Sequence, residues 1–148
     1  MADWRQGDFS ISTDTRYLDL VMMQRFLSED AYWALGRSPE EVRRSIDNSA
    51  VCFGVYAGDF TEQARRQVGF ARLISDMTTF AWLCDVFVLP EARGQGLAKW
   101  LMGVVVETVR AAGIRRVLLA TRDAHALYGR YGFQELAEPQ RWMMRRQD

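Results

Sequence analysis

The chain has 148 residues, a size that suggests one domain over 1–148, and its 49% hydrophobic and 26% charged residues exclude a disordered chain. Lysine plus arginine equals aspartate plus glutamate at 19 each, so no global field draws it to nucleic acid and any anion site must be local. No apolar run approaches the ~20 residues of a membrane span, and Cys52 and Cys84, inside apolar runs, read as reduced buried thiols.

The polar start "MADWRQGDF" has no signal-peptide core, and one histidine with two cysteines makes no zinc site. The expectation is a cytoplasmic protein without a metal, nucleic-acid or membrane partner.

In chain order, Phe9–Thr13 alternates and predicts a strand, and Leu18–Leu27 predicts a helix with one apolar face. Ser38-Pro39-Glu40-Glu41 predicts a helix start, with Ser38 as N-cap, Pro39 at the first position and Glu41 completing a capping box. Ala50–Tyr56 and Gln67–Ile74 predict a hairpin joined by a long connection at 57–66. Thr78–Leu89 is a long strand, apolar on both faces apart from Asp85, and therefore central. Leu97, Leu101, Val104, Val105, Thr108, Val109 and Ala112 recur at helical spacing up to Gly113. Arg115–Thr121 predicts a buried strand. Asp123 is placed to cap a short helix carrying Ala124, Leu127, Tyr128 and Tyr131, and "GFQEL" with "RWMMRR" predicts a closing strand pair. The order is that of a mixed α/β sheet, in which 78–89, 97–112 and 115–121 form a βαβ crossover between parallel strands.

The turn inside "VLPEARGQGLAKW" lies between a strand end and a helix start, where open α/β sheets bind ligands. Free N–H groups and the positive end of the helix dipole converge there, and Gly94 and Gly96 let backbone amides close on an anion such as a phosphate or pyrophosphate. Arg93 and Lys99 add formal charge. A dinucleotide site would want a third glycine where Lys99 stands, and a P-loop pattern is absent. A plain tight turn with an exposed arginine remains the alternative.

"VFVLPEARGQGLAKWLM" resembles the acyl-coenzyme A signature of the GNAT N-acetyltransferase superfamily, R/Q-x-x-G-x-G/A, as Arg93-x-x-Gly96-x-Ala98. "DAHALYGRYGF" is similar to that superfamily's second signature, in which a tyrosine, here Tyr128, precedes Gly132-Phe133 by four residues. Both fall in order, one strand apart, and the element order of the whole chain fits. The resemblance, to small single-domain bacterial members, implies a GNAT-type acyl-CoA N-acyltransferase fold. That fold is a mixed sheet of about seven strands, the fourth and fifth splayed, with helices on both faces.

The resemblance also implies a site. Backbone groups of Val86, Phe87 and Val88 would pair with the pantetheine arm of acetyl-CoA, the amide of Val86 or Phe87 polarising the thioester carbonyl. The turn Arg93, Gly94, Gln95, Gly96, Leu97, Ala98 and Lys99 would hold the pyrophosphate. Thr121 stands where the family often has an asparagine that bonds the pantetheine. Tyr128 matches the tyrosine that protonates the leaving thiolate; a core aromatic is its other reading. Asp85 matches a position that is often acidic, open to an amine-binding or proton-relay role or to a fixed structural hydrogen bond. Glu29, Asp30, Tyr32 and Trp33 fall in the segment that walls the acceptor pocket, where the two acids would select a cationic, partly apolar amine. His125 reads as a solvated or capping residue.

The implied activity is transfer of the acetyl group of acetyl-CoA to a primary amine of a small molecule by direct attack in a ternary complex. The alternatives are a protein N-terminal or lysine acetyltransferase, and a non-catalytic acyl-CoA sensor. A homodimer through the terminal strand is an open option.

Overall fold

The computed structural model describes residues 1–58 and 64–147. The connection expected at 57–66 therefore lies in part outside the described residues. Strands β1 (Asp3–Gln6) and β2 (Phe9–Ser12) form a hairpin, followed by helices α1 (Leu20–Glu29) and α2 (Pro39–Asp47). Strands β3 (Val51–Ala57), β4 (Arg66–Ser75) and β5 (Ala81–Val88) come next, then α3 (Leu97–Ala111), the two-residue β6 (Val117–Leu118) and the short α4 (His125–Gly129). Among the described residues they form one six-stranded sheet in sequence order, antiparallel except for the parallel β5–β6 pair.

Both faces of the sheet are covered, which is why β5 carries apolar residues on both sides. Leu101, Met102 and Val105 of α3 are fully buried against one face, with Phe53, Leu73 and Leu83. On the other face α1 and α2 pack through Met23, Leu27 and Val42. There Phe26 stacks on Phe87 at 4.3 Å between ring centres. The local chemistry of α2 is as expected: the Ser38 hydroxyl accepts from the Glu41 amide at 3.1 Å, and the Glu41 carboxylate accepts from the Ser38 amide at 2.9 Å. The first turn of α1 is fixed by Asp19, whose carboxylate accepts from the Met22 amide. The Asp19 amide in turn donates to the buried Gln67 of β4 at 2.7 Å.

Two features of β5 position everything that follows. First, its register against β4 shifts by one residue between Phe70 and Arg72. Asp85 sits at the shift with a left-handed φ of 52°, a conformation costing a non-glycine residue roughly 1 kcal/mol. The alternation of faces changes there. Ala81 and Leu83 point into the α3 core, as do Val86 and Val88, while Phe87 and Leu89 point into the other. Second, β5 pairs with β6 only at Ala81↔Val117 and Trp82↔Leu118. Beyond Trp82 the two strands part, giving the splay expected of the fourth and fifth strands in a hairpin-less count.

The sheet departs from the expected count at both ends. The strand at Asp3–Gln6 was not expected. It is an edge strand with three exposed polar residues and only Trp4 half-buried, so it carries no alternating apolar signal. The expected closing pair "GFQEL" and "RWMMRR" does not form. Only a single 3-10 turn at Pro139–Arg141 breaks that segment, and Met143 and Met144 are exposed. The strand expected at 115–121 shrinks to two residues because it loses β5 as a neighbour. Asp123 does not cap α4, whose N-cap residue is Ala124 without a side-chain cap; the Thr121 hydroxyl accepts from the Ala124 amide at 3.1 Å, just ahead of the helix.

Gly69 marks the closest approach of β4 to its neighbours. A Cβ there would lie 2.9 Å from the Phe87 carbonyl oxygen and 3.2 Å from the Val55 side chain. Gly69→Ala is expected to lower stability by about 1–3 kcal/mol, read as a lower urea midpoint. An unchanged midpoint would mean that β4 and β5 part there at no cost.

Candidate functional site

The parting of β5 from β6 opens a cleft of about 350 Å³. On one side it is lined by Cys84, Asp85 and Val86 of β5, and on the other by Thr121, Ala124 and Tyr128. Tyr32, Trp33 and Arg37, from the link between α1 and α2, form its third wall, with Arg72 of β4 at its base.

Asp85 organises this cleft. It is 4% exposed, and its two carboxylate oxygens accept three hydrogen bonds. Oδ1 takes the Trp33 indole N–H at 2.9 Å; Oδ2 takes Arg37 Nη1 at 2.6 Å and Arg72 Nε at 2.7 Å. Burial pushes its carboxyl up, but the charge of Arg72, with the hydrogen bonds and charge of Arg37, outweighs burial and holds it below the ordinary value. A carboxylate held in this way is a weak base at neutral pH. Its three donors describe the fixed hydrogen-bonding role more closely than a proton relay.

Tyr128 is buried to 8% exposure on α4, its ring edge-on to Phe133 at 5.9 Å. Burial, with lesser contributions from Tyr32 and Asp123, pushes its phenol up to about 12. It therefore keeps its proton at neutral pH. Its hydroxyl has no hydrogen-bond partner among the described residues, while its ring lines the cleft. Tyr32 closes the mouth. Its hydroxyl accepts from the Arg122 amide at 2.8 Å, and the Arg122 guanidinium lies over its ring at 3.8 Å.

A second cavity of about 350 Å³ continues from Val88 over the turn, lined by Arg93, Gly94, Gly96, Ala98 and Lys99. Gly94 and Gly96 have φ of 80° and 78°, and nothing lies within 4 Å of where a Cβ would stand. Conformation demands glycine there, and the space above is open. Gly96 caps α3 without a side chain, so the first-turn amides carry no side-chain acceptor. The Arg93 guanidinium is turned back, with Nε donating to the Val88 carbonyl at 2.9 Å.

The open edge of β5 joins the two cavities. The Leu89 amide donates to Val68 on β4 at 2.7 Å. By the alternation of an antiparallel ladder, Phe87 also faces β4, paired with Phe70. Val86 and Val88 then direct their backbone groups to the edge that β6 has left.

A family model of the GNAT acetyltransferases matches residues 20–133. The chain belongs to the GNAT acetyltransferase family. It is 32% identical over 141 residues to an inferred acetyltransferase of Gibberella zeae, covering 86% of this chain and 80% of that one. The crystal structure of an inferred GNAT-family acetyltransferase from Xanthomonas campestris pv. campestris matches with a TM-score of 0.85 and 46% identity, covering 96% of this chain and 95% of that one. An acetyltransferase from Clostridium acetobutylicum, crystallised with acetyl-CoA, shares the fold at a TM-score of 0.67 and 16% identity, covering 93% of this chain and 94% of that one.

Within this GNAT fold the expected site residues divide into groups. Asp85, Val86, Thr121, Tyr128, Tyr32 and Trp33 meet in the cleft. Val88, Arg93, Gly94, Gly96, Leu97, Ala98 and Lys99 meet at the turn. Phe87 and Gln95 line neither; the Gln95 amide donates to the Ala92 carbonyl at 3.3 Å. Glu29 and Asp30 do not line the cleft either. Both are exposed at the end of α1, so the acid-lined pocket expected to select a cationic amine is not formed. Arg37 and Arg72 were missed. Arg72 had a signal, as the charge inside the apolar run "VGFARLI" facing a strand with one acid; Arg37 had none. His125 lines a larger groove, of about 700 Å³, that also contains Trp142 and Met143.

Removing the charge of Asp85 would leave two guanidinium groups facing each other in a half-dry site. Asp85→Asn is expected to lower stability by about 3 kcal/mol at neutral pH. The folded carboxyl is held below its unfolded value, so this stabilisation is present above the ordinary carboxylate range. It is lost as pH falls through the lower folded value. Urea midpoints of wild type and variant should differ at neutral pH and converge as pH falls below the ordinary carboxylate range and through the lower folded value; a pH-independent gap would contradict this account.

Proposed function

We propose that this GNAT protein transfers the acetyl group of acetyl-CoA to a primary amine of a small molecule, in a ternary complex, with the cleft as the acceptor site. The observation that carries this reading is the continuous open edge of β5. It runs from the cleft that holds Tyr128 to the amide-lined turn at Gly94–Gly96.

The residues fit a coenzyme A thioester. Val86 and Val88 offer backbone groups to an extended pantetheine amide chain, as a further strand would. The amides of Gly96 to Lys99 and the α3 dipole suit a pyrophosphate, and Lys99 adds a charge. The thioester supplies an activated acetyl group. In the overall reaction its C–S bond breaks, a C–N bond forms, and one amine proton ends on the sulfur. The Val86 amide, beside the cleft, is the donor for the carbonyl oxygen as it gains charge. Tyr128 Oη donates its proton to the departing sulfur and regains one from the amine, so no tyrosinate need persist. The raised phenol keeps that proton on Tyr128 at neutral pH until the sulfur departs. Thr121 contributes a hydroxyl at the cleft wall, with its oxygen already bonded to the Ala124 amide. Asp85 acts as a positioning residue that holds Trp33 and Arg37 on the acceptor side.

The test is acetyl-CoA consumption with a panel of amines, read as free thiol, for wild type and Tyr128→Phe. The expected result is amine-dependent thiol release whose kcat falls roughly a hundredfold or more in the variant, with acetyl-CoA affinity unchanged. Equal turnover would remove Tyr128 from the chemistry. Coenzyme binding without turnover across the panel would favour a sensor.

A further inference from the structure

The base of the cleft holds two cations against one anion. Arg72 is buried there and held at two nitrogens: it is 9% exposed, with Nε on Asp85 and Nη1 on the Ser49 hydroxyl at 3.2 Å. Arg37 is not. It meets Asp85 end-on through Nη1 alone, its side chain is 20% exposed, and it lines the cleft. Its other guanidinium N–H groups have no partner among the described residues. A guanidinium with an unused edge is a fork for a planar carboxylate. The other acid lining the cleft, Asp123, does not cancel this charge. It lies at the outer rim, 65% exposed, with Arg122 at 3.8 Å.

Around Arg37 the cleft is apolar and aromatic, with Trp33, Trp82 and Ile74. A second ammonium on the acceptor would be repelled by the surplus positive charge. A carboxylate would be attracted, and the same charge would favour the neutral, nucleophilic form of the acceptor amine.

We infer that Arg37 clamps a carboxylate carried by the acceptor, so that the substrate class is an amine bearing an acid group and an apolar side chain, as in an apolar amino acid. This rests on the cleft being the acceptor site of an acetyltransferase. It reverses the cationic acceptor expected from Glu29 and Asp30.

The experiment compares phenylalanine, leucine and methionine, each with its own carboxamide, as acceptors for the full chain and acetyl-CoA, read as free thiol. The carboxamide amines are less basic and more of them are neutral, so that bias runs against the inference. The acids are expected to have kcat/KM values roughly tenfold or more higher, carried by KM. Arg37→Lys, which keeps the charge and loses the fork, should reduce this preference, and Arg37→Gln should bring it to one or below.

A calorimetric titration with N-acetylphenylalanine and its amide reads the clamp without turnover, and should show the same preference in wild type and its loss in Arg37→Gln. Carboxamides that match or beat the acids in both measurements, or a preference that survives in folded Arg37→Gln, would overturn the clamp. Preferential binding of the acid with no thiol release from any amine would keep the clamp and end the transfer reading. Thiol release with no acid preference would do the reverse.

Discussion

The carboxylate of Asp85 is the point on which the site depends. One buried anion joins three segments that are far apart in the chain: the α1–α2 link through Trp33 and Arg37, β4 through Arg72, and β5 itself. In a low-dielectric setting a buried carboxylate is favourable only when donors surround it, so the geometry at Asp85 is narrowly set. The left-handed backbone at Asp85 belongs to the same arrangement. It costs some free energy locally, but it inserts the extra residue that turns the carboxylate towards Arg37 and Trp33. It also restores Val86 and Val88 to the α3 face.

The second constraint is an absence of pairing. A strand that leaves its neighbour after two residues exposes backbone donors and acceptors that would ordinarily be satisfied. Here the unpaired edge leads without a break from the cleft to a turn whose two glycines have open space above them. An extended ligand with amide groups and an anionic end has the chemistry to match both. GNAT membership and the position of Tyr128 agree with that ligand being an acyl thioester of coenzyme A.

The electrostatics differ along this path. At the turn, positive charge comes from Lys99 and the α3 dipole. At the cleft base it comes from Arg37 and Arg72, which exceed Asp85 by one charge. Tyr128 sits between them, uncharged, with its phenol raised by burial. Two cationic ends around a neutral acid suit two anionic partners, a coenzyme on one side and an acid-bearing amine on the other.

Much of the fold could be read in the residues alone. The capping box at Ser38, the period of Leu97 to Ala112 and the doubly apolar run at 81–88 are local patterns, each produced by one element's own geometry. The two-glycine turn was legible for the same reason, and Tyr128 through its likeness to the second GNAT signature. The edge strand β1 was not, because a four-residue strand with Trp4 as its one half-buried residue has no apolar period. The final residues read as strands from their composition, yet nothing in composition says whether a neighbouring edge will accept them.

The lining of the cleft was beyond reach for a related reason. Glu29 and Asp30 were close to the pocket in sequence and fell outside it; Arg37 and Arg72 entered it through Asp85, 48 and 13 residues away in the chain. By itself, the sequence determined most of the elements, the two-glycine turn and the family. Tertiary structure alone decided the charge at the base of the cleft. That charge is a sum over side chains brought together by packing, and a bulge of one residue in β5 selects which of them face the cleft.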